Sequence, residues 1–519
     1  MQGLFLCQKI FGIIGHLYFI NFIFVWIFYK NSTLSTLKRF FRDTIIYGIA
    51  AVLPRAINII LVKLHTNTLA SEKYAESTIY FVYAAYFNAL LTYGMETAFF
   101  RFFTKEKQKG KVISTAFISL FLTTMTFMML MLVYSDAVAG YFGFSSALPF
   151  QILILVTTFD TLVVIPYAFL RVNNKPFRFT FYKVMNVLIF AVFNLYFLMY
   201  VPFALENDGF VPDFIASSFY EHPLVLYIFV ANFIASLVTF LVLFPIVFKF
   251  KFSFDKKILY QMLVYGLPIM VSSLAYVTNE NLDKLLLTHY LGKEQMGVYA
   301  ACYKLGVFMS LYIMAFKMGA EPFFFNQAKE SNAKQTYARI LTWFIIFGAL
   351  FMIIIVGFID QFAMLLLGKE EYFKDLVIVP VILLANLFLG IYYNFSVWFK
   401  LTDKTRYGMY FSILGALLTI GLIVLFIPII GFMASAWATL ATYSAMAVMS
   451  YFYGKKYYAI PYPMKNILVI LIIAIVLSYL SFNYFRGNHI VSVLITIAFL
   501  ALIIWNQKTE IKKIWKMSS

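Results

Sequence analysis

The chain has 519 residues, 63% of them apolar and only 12% charged, and its mean hydropathy is +0.85. A soluble protein of this length needs a polar coat that this composition does not supply, so an ordinary globular enzyme is excluded and an integral membrane protein is expected. The net charge of +18 invites a nucleic-acid reading, but 30 of the 41 Lys and Arg fall in one set of connections between apolar stretches. Anionic membrane lipids are therefore the expected counterpart, and nucleic acid is not.

In chain order, residues 1–33 form an N-terminal extension. The stretch from Ile10 to Tyr29 is long and apolar but lacks a strongly basic start and a small-residue cleavage site, so it is a poor signal peptide. It reads either as an extra helix or as sequence joined upstream of a start near Leu34 or Leu37. Fourteen apolar stretches follow, near 43–64, 77–100, 112–133, 150–170, 180–201, 223–248, 258–278, 297–316, 340–358, 376–399, 407–428, 431–453, 466–484 and 489–505. At 1.5 Å per residue, each is long enough for roughly 30 Å of hydrocarbon.

The connections alternate in charge. One set of eight, beginning with Lys38, Arg39 and Arg42 and ending with Lys508 to Lys516, holds the 30 basic residues. The other seven hold only Lys63, Lys73, Lys284, Lys293, Lys369, Lys374 and Arg486. The positive-inside rule places the first set in the cytoplasm of a bacterial inner membrane, with both core termini inside. Acidic residues mostly take the other side, and the loop 202–222 carries Glu206, Asp208, Asp213 and Glu221 without any Lys or Arg.

A weak repeat divides the chain. "IYGIAAVLPRAINIILV" (46–62) opens one half and "VYGLPIMVSSLAYVTNENLDKLLL" (264–287) the other, with the Tyr-Gly pairs 218 positions apart. Six helices fit that period, and an even number gives both halves the same orientation, related by an axis along the membrane normal. The expected fold is thus all-α integral membrane. It has fourteen core transmembrane helices in two six-helix lobes (34–253 and 254–457), followed by an appended helix pair and basic tail (458–519).

Ionisable groups inside the hydrocarbon each cost at least about 2.5–3.5 kcal/mol unless they face water or a partner. They are Arg55, Glu96, Asp160, Asp283, Lys284 and Lys304. Arg55 and Lys304 come from corresponding regions of the two halves and, facing one another across a cleft, would suit an anionic headgroup, the guanidinium by bidentate bonds to phosphate and the ammonium as a point charge. The alternative is that Arg55 pairs with Glu96, and Lys304 with Asp283, only to lower insertion cost. Asp160 reads either as a proton-titrating carboxylate or as a group bonded to neighbouring Thr. Arg101, Lys317 and Glu321 lie at cytoplasmic helix ends, as a gate or, for Arg101, as plain anchoring. His65 and His289 read as interfacial filling. Pro54, Pro166 and Pro268 interrupt helices one, four and seven, where a missing hydrogen bond permits bending.

No metalloprotease motif, phosphate-cradling Gly-rich loop or nucleophile set beside a His and a carboxylate occurs, so no enzymatic activity is expected. Cys7 and Cys302 are too isolated for a disulfide framework or a metal site. With no ATP-binding segment and no cofactor expected, any pumping would draw on a coupling ion (H+ or Na+), the membrane potential or consumption of the cargo.

"YGMETAFFRFF" (93–103), "LDKLLLTHYLGKEQMGVYAACYKL" (282–305) and "AEPFFFNQAKE" (320–330) resemble the signature stretches of the polysaccharide-biosynthesis oligosaccharide flippases. These belong to the multidrug/oligosaccharidyl-lipid/polysaccharide exporter superfamily. The resemblance covers about 34–505 in layout. It implies alternating-access flipping of undecaprenyl-pyrophosphate-linked repeat units for O-antigen, capsule or exopolysaccharide, with a polysaccharide polymerase and glycosyltransferases as partners. The same fold serves lipid II flippases and drug/cation antiporters, so the cargo is not fixed by it. Where the family often carries Arg after the first helix, this chain reads His65-Thr66-Asn67.

Overall fold

The computed structural model describes residues 53–508, apart from 107, 145, 174, 250, 251 and 329, and is built of helices. These are α1 (53–68), α2 (Ser71–Thr92, resuming as Met95–Lys105), α3 (Lys109–Val133), α4 (Ala147–Leu162, resuming as Val164–Val172), α5 (Pro176–Leu195, running on to Glu206) and α6 (Leu224–Leu243). After them come α7 and α8, joined within Lys256–Gln327 at Gly292, then α9 (Ala333–Gly357), α10 (Ile378–Phe395), α11 (Arg406–Ile430), α12 (Met433–Tyr457), α13 (Met464–Tyr484) and α14 (His489–Asn506). By length and apolarity, ten helical stretches among the described residues qualify as membrane spans, and the one over 256–325 comprises both α7 and α8. The fourteen expected from the sequence include α1, α2 and α12, which fall outside that criterion. The extension 1–33 and the tail 509–519 lie outside the described residues.

Interruptions follow from local chemistry. Pro166 cannot bond to the carbonyl four residues back, which is that of Leu162, and α4 breaks there at Val163. By contrast α7 runs through Pro268 without a break. Pro54 falls at the start of the described part of α1. The break in α2 uses two left-handed residues, Tyr93 (φ 32°) and Gly94 (φ 72°). A Cβ on Gly94 would stand 2.2 Å from the Gly266 carbonyl oxygen, so α2 and α7 touch there backbone to backbone.

Polar residues inside the helices are mostly satisfied by their own backbone. Thr157, Thr158, Thr161, Thr239 and Thr439 each donate to the carbonyl four residues earlier, at 2.7–2.9 Å. This removes the need for neighbours to satisfy them in hydrocarbon. Large aliphatic side chains are exposed in mid-helix, among them Leu122, Leu417 and Ile472, an exterior suited to lipid.

Two compact units emerge. One holds Met309–Phe358 and the described residues from Pro461; the other holds the described residues up to Phe308 and Ile359–Ile460. The division cuts α8 near Met309, while the boundary read at 253/254 lies inside the larger unit. In the smaller unit α9 packs on α13 and α14, with Ser492 Oγ donating to the Gly357 carbonyl at 2.8 Å. In the larger unit Phe99, Phe103, Ile113, Phe117, Ala168 and Met262 join α2, α3, α4 and α7 in one apolar cluster. The acidic connection 202–222 is folded rather than open: Val201, Ala204, Val211, Phe219 and Tyr227 form a small core of their own, and Tyr200 Oη donates to the Phe210 carbonyl at 3.0 Å.

Candidate functional site

Within the larger unit, polar side chains from α1, α5, α7, α8, α10 and α12 form a column. Helix α7 supplies Tyr276, Glu280, Asp283 and Lys284. The last three are spaced i, i+3 and i+4, so the period of 3.6 puts them on one face. Lys284 Nζ bonds Asp283 Oδ1 at 2.8 Å and the Glu280 carbonyl at 2.7 Å, and lies 4.2 Å from the centre of the Tyr303 ring. Tyr299 Oη donates to Asp283 Oδ2 at 2.8 Å. Asp283 is thus held by Lys284 and Tyr299, not by Lys304, and the Asp283–Lys304 pairing weighed from the sequence is replaced. The almost fully buried pair Asp283–Lys284 neutralises itself.

Glu280, half-buried, accepts a hydrogen bond from Tyr443 of α12 at 2.5 Å. The hydroxyls of Tyr276 and Tyr393 bond each other, and Arg55 of α1 lies within electrostatic reach of both. Lys304 of α8 lies within reach of Lys284 and of His65. Far from being interfacial filling, His65 is buried and bonded to Asn194 of α5 at 2.8 Å. Among the described residues, neither Arg55 nor Lys304 makes a hydrogen bond or an ion pair. They are not level: ten residues, about 15 Å of axis, separate Arg55 from His65. Nor are they repeat mates, since Lys304 lies on α8 and the 218-residue offset sets Ser273 opposite Arg55.

Glu96 pairs with Arg171, not with Arg55, at 2.8 Å on an exposed helix end, so the other pairing weighed from the sequence is replaced as well. Arg171 also covers the Phe100 ring. Asp160 is bonded by Ser236 and Asn88 with Lys183 in electrostatic reach; the neighbouring Thr residues are committed to their own helix. Of the three expected gate residues, Arg101 places its guanidinium 4.4 Å from the centre of the Tyr265 ring of α7. Lys317 belongs to the other unit, and the Glu321 side chain lies outside the described residues.

At the Lys/Arg-poor face the two halves are sewn together. Glu76 binds Lys73 at 3.1 Å and Lys293 of the second half at 3.3 Å. Lys369 and Tyr372 both donate to the Leu69 carbonyl, the Gly368 amide donates to Thr66, and Gln295 donates to Asp375. A Cβ on Gly297 would fall 1.9 Å from the Ser71 carbonyl oxygen, so the backbones touch. Cys302 is buried and donates to the Tyr372 carbonyl.

The sequence reading missed Glu280, its tyrosines and Arg171. Glu280 was legible from its i+3/i+4 spacing to Asp283 and Lys284. Its tyrosine partners come from α10 and α12, more than a hundred residues away, and only the packing of α7 reveals them.

No curated protein matches the chain significantly in sequence. Solved structures do resemble it. The lipid II flippase MurJ in an inward closed conformation superposes with TM-score 0.66 at 16% identity, covering 90% of this chain and 100% of that one. An inward-facing multidrug resistance MATE family transporter of the MOP superfamily gives 0.62 at 15%, covering 80% and 97%. A MOP superfamily transporter from Pyrococcus furiosus gives 0.60 at 15%, covering 81% and 95%. At these identities the likeness is one of fold. The family described as MatE matches residues 268–425, and the family described as Polysaccharide biosynthesis protein matches 40–326, more than half of the chain. The chain belongs to the polysaccharide biosynthesis protein family and has the fold of MOP-superfamily transporters.

Proposed function

We propose that this protein flips undecaprenyl-pyrophosphate-linked oligosaccharide repeat units from the cytoplasmic to the periplasmic leaflet of the bacterial inner membrane, supplying O-antigen, capsule or exopolysaccharide synthesis. The observation that carries the reading is the pair of cations, Arg55 and Lys304, bonded to none of the described residues, in the column of a chain from a polysaccharide-biosynthesis family. Two cations at different depths give a diphosphate two successive stations, Arg55 with bidentate geometry and Lys304 with a point charge. The sewn Lys/Arg-poor face suits a state loaded from the basic, cytoplasmic side. Carriage requires the opposite state to bind the cargo differently, since a ligand with equal affinity for both states shifts nothing. Glycosyltransferases would supply such a cargo and a polymerase consume it.

The test is binding of undecaprenyl pyrophosphate to the purified protein in nanodiscs, with surface polysaccharide measured in cells. Arg55→Ala and Lys304→Ala should each weaken binding roughly 10-fold, the scale of a lost charged hydrogen bond. Arg55→Lys should recover part of it. Wild-type affinity and full export in the double variant would overturn the reading. Rescue of cells depleted of their own lipid II flippase would redirect it to that cargo. A cation-coupled antiporter is the second reading, favoured by Asp160 enclosed with Asn88 and Ser236 in the first half; proton-coupled dye efflux abolished by Asp160→Asn would establish it.

A further inference from the structure

The column contains a second chemistry that the cations do not use. Around Glu280 stand four tyrosines from four helices: Tyr276 (α7), Tyr303 (α8), Tyr393 (α10) and Tyr443 (α12). Tyr443 is buried and its hydroxyl holds one carboxylate oxygen at 2.5 Å; the other oxygen makes no hydrogen bond to a described residue. Tyr276 is 45% exposed and lies one turn before Glu280 on the same helix face, its hydroxyl bonded to that of Tyr393. Asn279, the residue before Glu280, is turned away, bonded to the Ser412 carbonyl and to Thr419.

The carboxylate itself repels a diphosphate, which the proposed function places on Arg55 and Lys304, and an added cation meets Lys284, whose Nζ bonds the Glu280 carbonyl. The ligand that suits it is neutral and rich in hydroxyls. A carboxylate oxygen accepts from sugar hydroxyls, tyrosine hydroxyls both donate and accept, and ring faces cover the apolar faces of a pyranose. We propose that Glu280, with Tyr276 and Tyr393, forms a saccharide subsite that engages the sugar attached to the diphosphate, while Tyr443 fixes the carboxylate's orientation. The proposal rests on the flippase reading and assigns the half of the cargo that the cations do not explain.

The experiment compares two ligands in nanodiscs: undecaprenyl pyrophosphate and the same lipid carrying one N-acetylglucosamine. The wild-type protein should prefer the glycosylated lipid about tenfold, the value of one hydrogen bond to a charged group. Glu280→Gln and Tyr276→Phe should each reduce that preference severalfold while affinity for the sugar-free lipid stays unchanged. Tyr443→Phe should produce a smaller loss. Equal weakening toward both lipids, or a wild-type protein with no preference between them, would overturn the subsite while leaving the flippase reading intact. Failure of the wild-type protein to bind either lipid would overturn both. Because Glu280→Gln keeps the acceptor for Tyr443 and Tyr276→Phe removes only one bond, that to the Tyr393 hydroxyl, both variants should stay close to the wild-type melting midpoint; a large drop would mark a structural role and count against the subsite.

Discussion

The Lys/Arg-poor seam and the central column both join the first half of the chain to the second, by opposite means. At the seam the polar groups named above have partners: Glu76 has Lys293 and Leu69 its two donors across the interface, and Asp375 has the Gln295 amide within the second half. In the column, Arg55 and Lys304 have no hydrogen-bond partner among the described residues. A satisfied seam stabilises one conformation, whereas an unsatisfied cation costs free energy until a ligand arrives. Partner satisfaction therefore separates the groups that hold this face together from those that the proposed function assigns to cargo.

The strongest way to break this contrast is steric. Gly297→Val puts a branched side chain where the Ser71 carbonyl already sits, and should cost about 1–3 kcal/mol or more, read as a lower thermal midpoint. Gly421→Ala, with open space around it, should be neutral or slightly stabilising. If the two glycines behave alike, the seam is not close-packed in the resting state.

A charge test is next in size. Glu76→Gln, Lys293→Met and their combination form a double-mutant cycle, and with Glu76 mostly buried and Lys293 partly exposed the coupling should be about 0.5–1 kcal/mol. Additivity would remove the ion pair from the account. In the column the sign should reverse: Lys304→Met should leave the midpoint unchanged or raise it, since no partner among the described residues is abandoned. A clear drop would reveal that Lys304 supports the fold.

The smallest effect is a pH dependence at the seam. Burial pushes the Asp375 carboxyl up to about 6, partly opposed by the Gln295 amide. The folded state then holds a proton more tightly than the unfolded state, whose carboxyl titrates near 3.8, so this group's contribution to stability falls as pH rises from about 4 through 6. Relative to Asp375→Asn, the wild-type midpoint should drop by a few degrees between pH 5 and pH 7. Parallel curves would show that Asp375 ionises freely.

Apolar stretches and their charged flanks were legible because they are local: a run of Ile, Leu and Phe is helical in hydrocarbon whatever surrounds it, as no water is available for unpaired backbone. Arg55 and Lys304 were legible as costly charges for the same reason, and the resemblance around 93–103, 282–305 and 320–330 agrees with the family shown. The partners were not legible. Glu96 lies beside Arg171, and Asp283 beside Lys284 and Tyr299, because helix rotation and depth set which side chains meet, and neither is written in hydropathy.

The sequence by itself determined that this chain is a helical membrane protein, which residues carry charge into the hydrocarbon, and the side on which basic residues gather, because those follow from transfer free energies residue by residue. Only the tertiary structure decided that Glu280 stands among four tyrosines, that Arg55 and Lys304 lie at different depths with no partner among the described residues, and that Gly297 rests on Ser71. Those depend on how helices distant in the chain pack, where a shift of one residue turns a side chain by about 100° around its axis.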